Sequence, residues 1–168
     1  EIDFVTDKLR ILAGEQINSA GSTSSVEKYL NENITDAEQI LTAFEKAKSW
    51  DAKHRQIMLY GKALTRLAVD KKHENNLISG CESKAWLDVT VDENNKITFI
   101  ADSEAKVIRG LLFITTSPYQ GMTAKQILAY DIHGYFKTLG LLQHLSPSRG
   151  NGLLAIVDRI IAIASAKS

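Results

Sequence analysis

The sequence predicts an α+β fold, a small antiparallel β-sheet packed by helices. Three observations carry that expectation. Residues 85–91 alternate apolar and polar positions and meet a second β-prone run, 97–100, across the turn Asp92-Glu93-Asn94-Asn95-Lys96. Helix-start signals recur before apolar runs, at Thr35, Thr123, Asp131 and Ser146. The last stretch, with Leu153, Ile156, Val157, Ile160, Ile161 and Ala164, has the spacing of a core-closing helix.

In chain order, residues 1–33 form a partly flexible N-terminal extension. Leu9, Leu12 and Ile17 have helical spacing, the small polar run 18–25 reads as a linker, and 26–30 fits one helical turn. Residues 34–168 form a single domain. Thr35 and Glu38 match a capping box, and the helix behind them carries Ile40, Leu41, Phe44 and Ala47 on one face. Asp51 suits the cap of a second helix from about Ala52, striped by Ile57, Met58, Gly61 and Leu64. Two antiparallel helices or one bent helix satisfy this pattern equally. Residues 71–76 are polar and predict a loop.

In the 85–91 strand, Trp86 and Asp88 share one face while Leu87, Val89 and Val91 share the other. A tryptophan there is expected in the core. Asp102-Ser103-Glu104 is expected to cap the next helix; the apolar run from Val107 to Ile114 is dense enough for a buried helix or a strand, and the cap and the length favour the buried helix. Thr123 and Gln126 form a second capping box. Asp131 opens a helix with Tyr135, Phe136 and Leu139 inward and Gly140 as its stop. Ser146-Pro147 fits an N-cap followed by proline at the first helical position.

Composition excludes several functions. The 168 residues hold 20 basic and 20 acidic side chains, so no bulk field draws the protein to nucleic acid or an anionic membrane. The longest apolar-rich run, 152–166, is interrupted by Asp158 and Arg159 and predicts no membrane span. Residues 1–12 are charged throughout and predict no signal peptide. A single cysteine makes no internal disulfide, which points to a reducing cytoplasm. His54, His73, His133 and His144 show no metal-ligand spacing, and the glycines fit no phosphate-binding loop.

Cys81 remains as the residue with chemistry to offer. Free cysteines are mostly buried. Here Gly80, Glu82, Ser83 and Lys84 make no apolar pocket, and Gly80 permits a backbone that presents the next side chain. An accessible thiol is a nucleophile through its thiolate.

A family resemblance rests on these residues. Ile78-Ser79-Gly80-Cys81-Glu82-Ser83-Lys84-Ala85-Trp86-Leu87, Ala101-Asp102-Ser103-Glu104, Ile108-Arg109-Gly110-Leu111-Leu112 and Leu145-Ser146-Pro147-Ser148-Arg149 with Gly152-Leu153 occur in the order seen in SufE/CsdE proteins. Ser49-Trp50-Asp51 and Leu59-Tyr60-Gly61-Lys62 resemble that family's opening helix. The resemblance implies a SufE/NifU-like fold over 34–168 with no bound cofactor. It implies a sulfur acceptor that takes persulfide sulfur from a SufS/CsdA-like, PLP-dependent cysteine desulfurase. Such a protein stimulates that enzyme and passes the sulfur to an iron–sulfur scaffold or another acceptor. It acts as an accessory protein rather than a stand-alone enzyme.

By the same resemblance, Cys81 is the persulfide acceptor, Gly80, Glu82 and Ser83 present it, and Asp102 and Ser103 form a turn beside it. Arg149 matches the family's arginine after Ser-Pro-Ser; a helix-start residue bonding nearby carbonyls is the other reading. Ala101 stands where the family usually has glycine, Gly150-Asn151 replaces Ser-Gln, and a proline near 63–65 is missing. Two alternatives remain beside sulfur acceptance: an allosteric adaptor of the desulfurase that takes no sulfur, and a thiol-dependent hydrolase or peroxidase.

Overall fold

The computed structural model describes residues 36–168. The expectations for 1–33, and the Thr35 half of the first capping box, lie outside the described residues. Within them are helices α1 (Asp36–Lys46) and α2 (Trp50–Ala63), strands β1 (Ala85–Val91) and β2 (Lys96–Ser103), and helix α3 (Lys106–Thr116). Strand β3 (Met122–Thr123), α4 (Ala124–Ala129), α5 (Ile132–Leu139) and α6 (Pro147–Lys167) follow. The predicted α+β class is the observed one: a three-stranded antiparallel sheet in the order β1-β2-β3, with helices packed on it.

The helix pair at 36–63 is two helices, not one bent one. Ser49, rather than Asp51, caps α2, its hydroxyl accepting the Ala52 N–H at 3.1 Å. Starting at Trp50 leaves Asp51 in the first turn, where a carboxylate still suits the helix dipole. Ile57 and Gly61 are buried where α2 crosses α3. That crossing is close because both helices bring glycine to it. A Cβ on Gly61 would lie 2.8 Å from the Lys106 carbonyl oxygen, and one on Gly110 only 2.0 Å from that of Ile57. Any side chain there forces the helices apart.

The β1–β2 register sets Trp86 opposite Asp102, Leu87 opposite Ala101 and Val89 opposite Phe99. Asn95, with φ 61°, closes the hairpin at the predicted turn. Leu87, Ile97, Phe99 and Ala101 join the core with α3, while Trp86 and Asp102 face the other side. That second side is covered too. The 64–77 segment, containing short 3₁₀ turns Val69–Lys71 and Glu74–Asn76, runs over it, with Lys72 Nζ 5.3 Å from the Trp86 ring centroid. Ala85, Trp86 and Leu87 are therefore all buried, and the expected alternation does not appear: burial falls off along the strand, through Asp88 and Val89, to exposed Thr90 and Val91.

Beyond its two-residue pairing with β3, the outer edge of β2 is closed by a side chain. The Gln120 amide accepts the Phe99 N–H at 2.7 Å and donates to the Phe99 carbonyl at 2.8 Å. The later elements match their signals. Thr123 and Gln126 form the complete capping box of α4, and Asp131 accepts the Gly134 N–H to start α5. Gly140 ends α5 at φ 64°, and Ser146 caps α6 through the Arg149 N–H. Leu153, Ile156, Val157, Ile160 and Ala164 bury the inner face of α6 against the rest of the core.

A further expectation fails. Asp102 and Ser103 do not cap α3: they are the last residues of β2, and the cap position, Ala105, makes no side-chain cap bond. The reason is tertiary. Asp102 has partners far along the chain that outweigh a local capping role.

Candidate functional site

Cys81 sits on a closed loop. Leu77 bridges Trp86, and the Ile78 N–H donates to the Ala85 carbonyl at 2.8 Å, so residues 79–84 bulge from a two-residue antiparallel neck. Gly80 turns the chain at φ 93°, and its own Cβ, if present, would lie 3.2 Å from that of Ala155 on α6. The next side chain is thereby aimed at α6. The Cys81 thiol reaches the Gly152 carbonyl at 3.7 Å, a weak sulfur hydrogen bond. A Cβ on Gly152 would stand 3.8 Å from the sulfur, in ordinary van der Waals contact with it.

The polar neighbours of Cys81 predict a presented thiol, and the geometry is intermediate. The side chain is half-buried and packs on the edge of the core. Burial pushes its pKa up. At neutral pH the group is held as a thiol, which is the less reactive form.

Asp102 and Ser103 hold the frame of this loop rather than touching the sulfur. The Ser103 hydroxyl donates to the Lys84 carbonyl at 2.7 Å, and the Glu104 N–H reaches the same oxygen at 3.1 Å. These bonds pin the exit of the thiol loop to the end of β2. Asp102 is fully buried and gathers the overlying segment: Arg66 Nε lies 2.8 and 2.9 Å from its two oxygens, Lys72 Nζ 3.1 Å away, and the Leu67 N–H 3.3 Å away. The Ser103 N–H adds a fourth donor at 2.8 Å. Burial opposes ionisation of this carboxyl, but the bonds from Arg66, Lys72 and the Ser103 amide, with the Arg66 charge, outweigh it and hold the pKa below the usual carboxylate range. Asp102 thus fastens the lead-in to the thiol loop onto the sheet.

A groove of about 660 Å³ opens beside Gly152. Glu82 and Ser83 form one wall, the start of α3 with Lys106 and Ile108 another, and the start of α6 with Ser148 and Arg149 a third. The Glu82 carboxylate accepts the Ser148 hydroxyl across the groove. Arg149 gives its backbone N–H to Ser146, while its guanidinium is exposed and bonds no carbonyl among the described residues. The fold therefore brings Glu82, Ser83 and Arg149 onto one groove, sets Gly80 and Cys81 against α6 at Ala155 and Gly152, and stands Asp102 and Ser103 behind the loop as supports. Sequence reasoning passed over Lys106, Ser148, Arg66 and Lys72. Ser148 lies inside the Ser-Pro-Ser-Arg motif and carried a usable signal, whereas the other three are cations whose place is set by tertiary packing. Among the described residues no cluster of His, Cys, Asp and Glu suits a metal ion, and no helix is long and apolar enough to cross a membrane.

Fold and site together define a small α+β protein that holds a single thiol on a tethered loop beside a groove of mixed polar and apolar lining. The chain belongs to the SufE family: the family model described as "SufE: Fe-S metabolism associated domain" matches residues 38–164, which ties the protein to iron–sulfur metabolism. Among solved structures, the chain is similar to a hypothetical protein from Thermus thermophilus determined in solution. That likeness has a TM-score of 0.62 at 16% identity and covers 78% of this chain and 94% of the other. At that identity the likeness concerns the fold.

Proposed function

We propose that this protein is a sulfur carrier that receives persulfide sulfur on Cys81 from a PLP-dependent cysteine desulfurase, in a reducing cytoplasm. The observation that carries the reading is the placement of the chain's sole cysteine, on a closed loop whose next residues, Glu82 and Ser83, line an open groove, within the matched family domain. The Cys81 thiolate attacks the terminal sulfur of the donor's Cys–S–SH group. A new S–S bond forms at Cys81, the donor's S–S bond breaks, and the donor cysteine leaves as its thiolate. No outside oxidant or reductant enters that balance. Cys81 then carries the persulfide to an iron–sulfur scaffold or another acceptor by a second exchange of the same kind.

The neighbours support this use of the sulfur. Partial burial keeps the resting group protonated, which guards it from stray electrophiles. Gly80 and the neck at Ile78 and Ala85 give the loop a fixed base from which to offer the sulfur. The test is intact mass. Wild-type protein incubated with cysteine and a cysteine desulfurase gains the mass of one sulfur atom, reversibly on reduction, and Cys81→Ser gains none. Equal gain by Cys81→Ser, or none by wild type with any desulfurase tried, overturns the assignment.

A further inference from the structure

Among the described residues, Glu82 is the single acidic side chain lining the groove, and its carboxylate is bonded to Ser148 in the first turn of α6. A helix start favours negative charge through its free N–H groups and its dipole. The chain has thus placed one of its own carboxylates there. Around it the charge is unbalanced. Lys106 and Arg149 line the same groove, both are exposed, and neither makes an ion pair among the described residues. The first turns of α3 and α6 contain no acid, and the α3 start has no side-chain cap. Two cations and two helix starts therefore face one carboxylate.

We infer that the groove is the docking site for an acidic segment of the protein that exchanges sulfur with Cys81, and that Glu82 is an internal stand-in whose bond to Ser148 a partner carboxylate takes over. The inference rests on the sulfur-carrier reading and adds the chemistry of the partner. Charge complementarity selects an acidic segment: it satisfies Lys106 and Arg149, while a basic one meets both cations at close range. Glu82 is peptide-bonded to Cys81, so release of its carboxylate from Ser148 loosens the residue beside the thiol as the partner arrives. Docking and presentation of the sulfur then share one hydrogen-bond exchange.

A labelled oligoglutamate peptide tests this by fluorescence anisotropy on the full chain, with oligolysine as the opposite-charge control. Oligoglutamate is expected to bind, and to bind more weakly as salt is raised. The Lys106→Ala, Arg149→Ala double variant is expected to lose about tenfold in affinity. Both side chains are exposed, so the fold should tolerate their truncation, and an unchanged circular dichroism spectrum checks this. Glu82→Gln is expected to tighten binding severalfold, because an amide competes less well for Ser148. No oligoglutamate binding, equal binding of oligolysine, or an affinity indifferent to Lys106, Arg149 and Glu82 overturns the inference. Those results leave sulfur uptake by Cys81, read by mass, untouched.

Discussion

The Cys81 thiol and the Gly152 carbonyl face each other at 3.7 Å, joining the loop that bears the sulfur to the helix that closes the core. Because burial raises the thiol pKa, alkylation by iodoacetamide at neutral pH should be slower than for free cysteine. The rate should climb with pH to a midpoint above that of the free amino acid. Linkage has a definite sign: with the folded pKa raised, this group's contribution to stability is complete below the unfolded pKa and is lost as pH rises through the folded one. The stability difference between wild type and Cys81→Ser should accordingly shift against wild type in alkaline buffer, read by denaturant midpoints.

Asp102 makes the opposite prediction. Its pKa is held down in the fold, so its contribution is complete above the unfolded carboxylate pKa and is lost as pH falls through the folded value. Asp102→Asn should cost about 2 kcal/mol at neutral pH, because Lys72 and the Leu67 amide lose a charged acceptor in a buried place. In acid the gap between variant and wild type should narrow. Urea unfolding across that pH range checks both statements, and a gap independent of pH would contradict them.

Gly110→Ala should be among the more damaging single-methyl changes in the chain. The new carbon has nowhere to go but into the Ile57 backbone, 2.0 Å from its carbonyl oxygen. The expected loss is about 3 kcal/mol, the upper range for overpacking. Gly150→Ala, where the added carbon meets nothing within 4 Å, provides the comparison and should unfold near the wild-type midpoint.

Gly80→Ala tests the aim of the loop. Its φ of 93° disfavours any side chain, and the added carbon crowds Ala155. A cost of about 1–2 kcal/mol is expected from the backbone alone. The loop should relieve that strain by drawing away from α6, so Cys81 in this variant should alkylate faster than in wild type. Slower alkylation would show that Gly80 does not set the thiol's position.

What was legible in the chain was local. Thr123 with Gln126, Asp131 with Gly140, and Ser146 before Pro147 each act over a short stretch of chain, and all three mark real helix ends. The hairpin turn at 92–96 was legible for the same reason. Asp102 was misplaced as a cap because its deciding partners, Arg66 and Lys72, lie far upstream, where no window of periodicity reaches. Strand β3 is two residues long, too short to carry an alternation. At the site, Cys81 and its flanking loop were readable from residue type and from the family pattern. The groove was not, since its walls come from three separate elements and exist only once α3 and α6 are packed.

The bidentate grip of Gln120 on Phe99 has a consequence away from the sulfur chemistry. An open sheet margin is a template on which a foreign strand can lay itself down, and chains grow into aggregates by that route. Here one amide occupies the socket that such a newcomer would need. At that margin the protein is in this way kept from pairing with its own copies through the backbone.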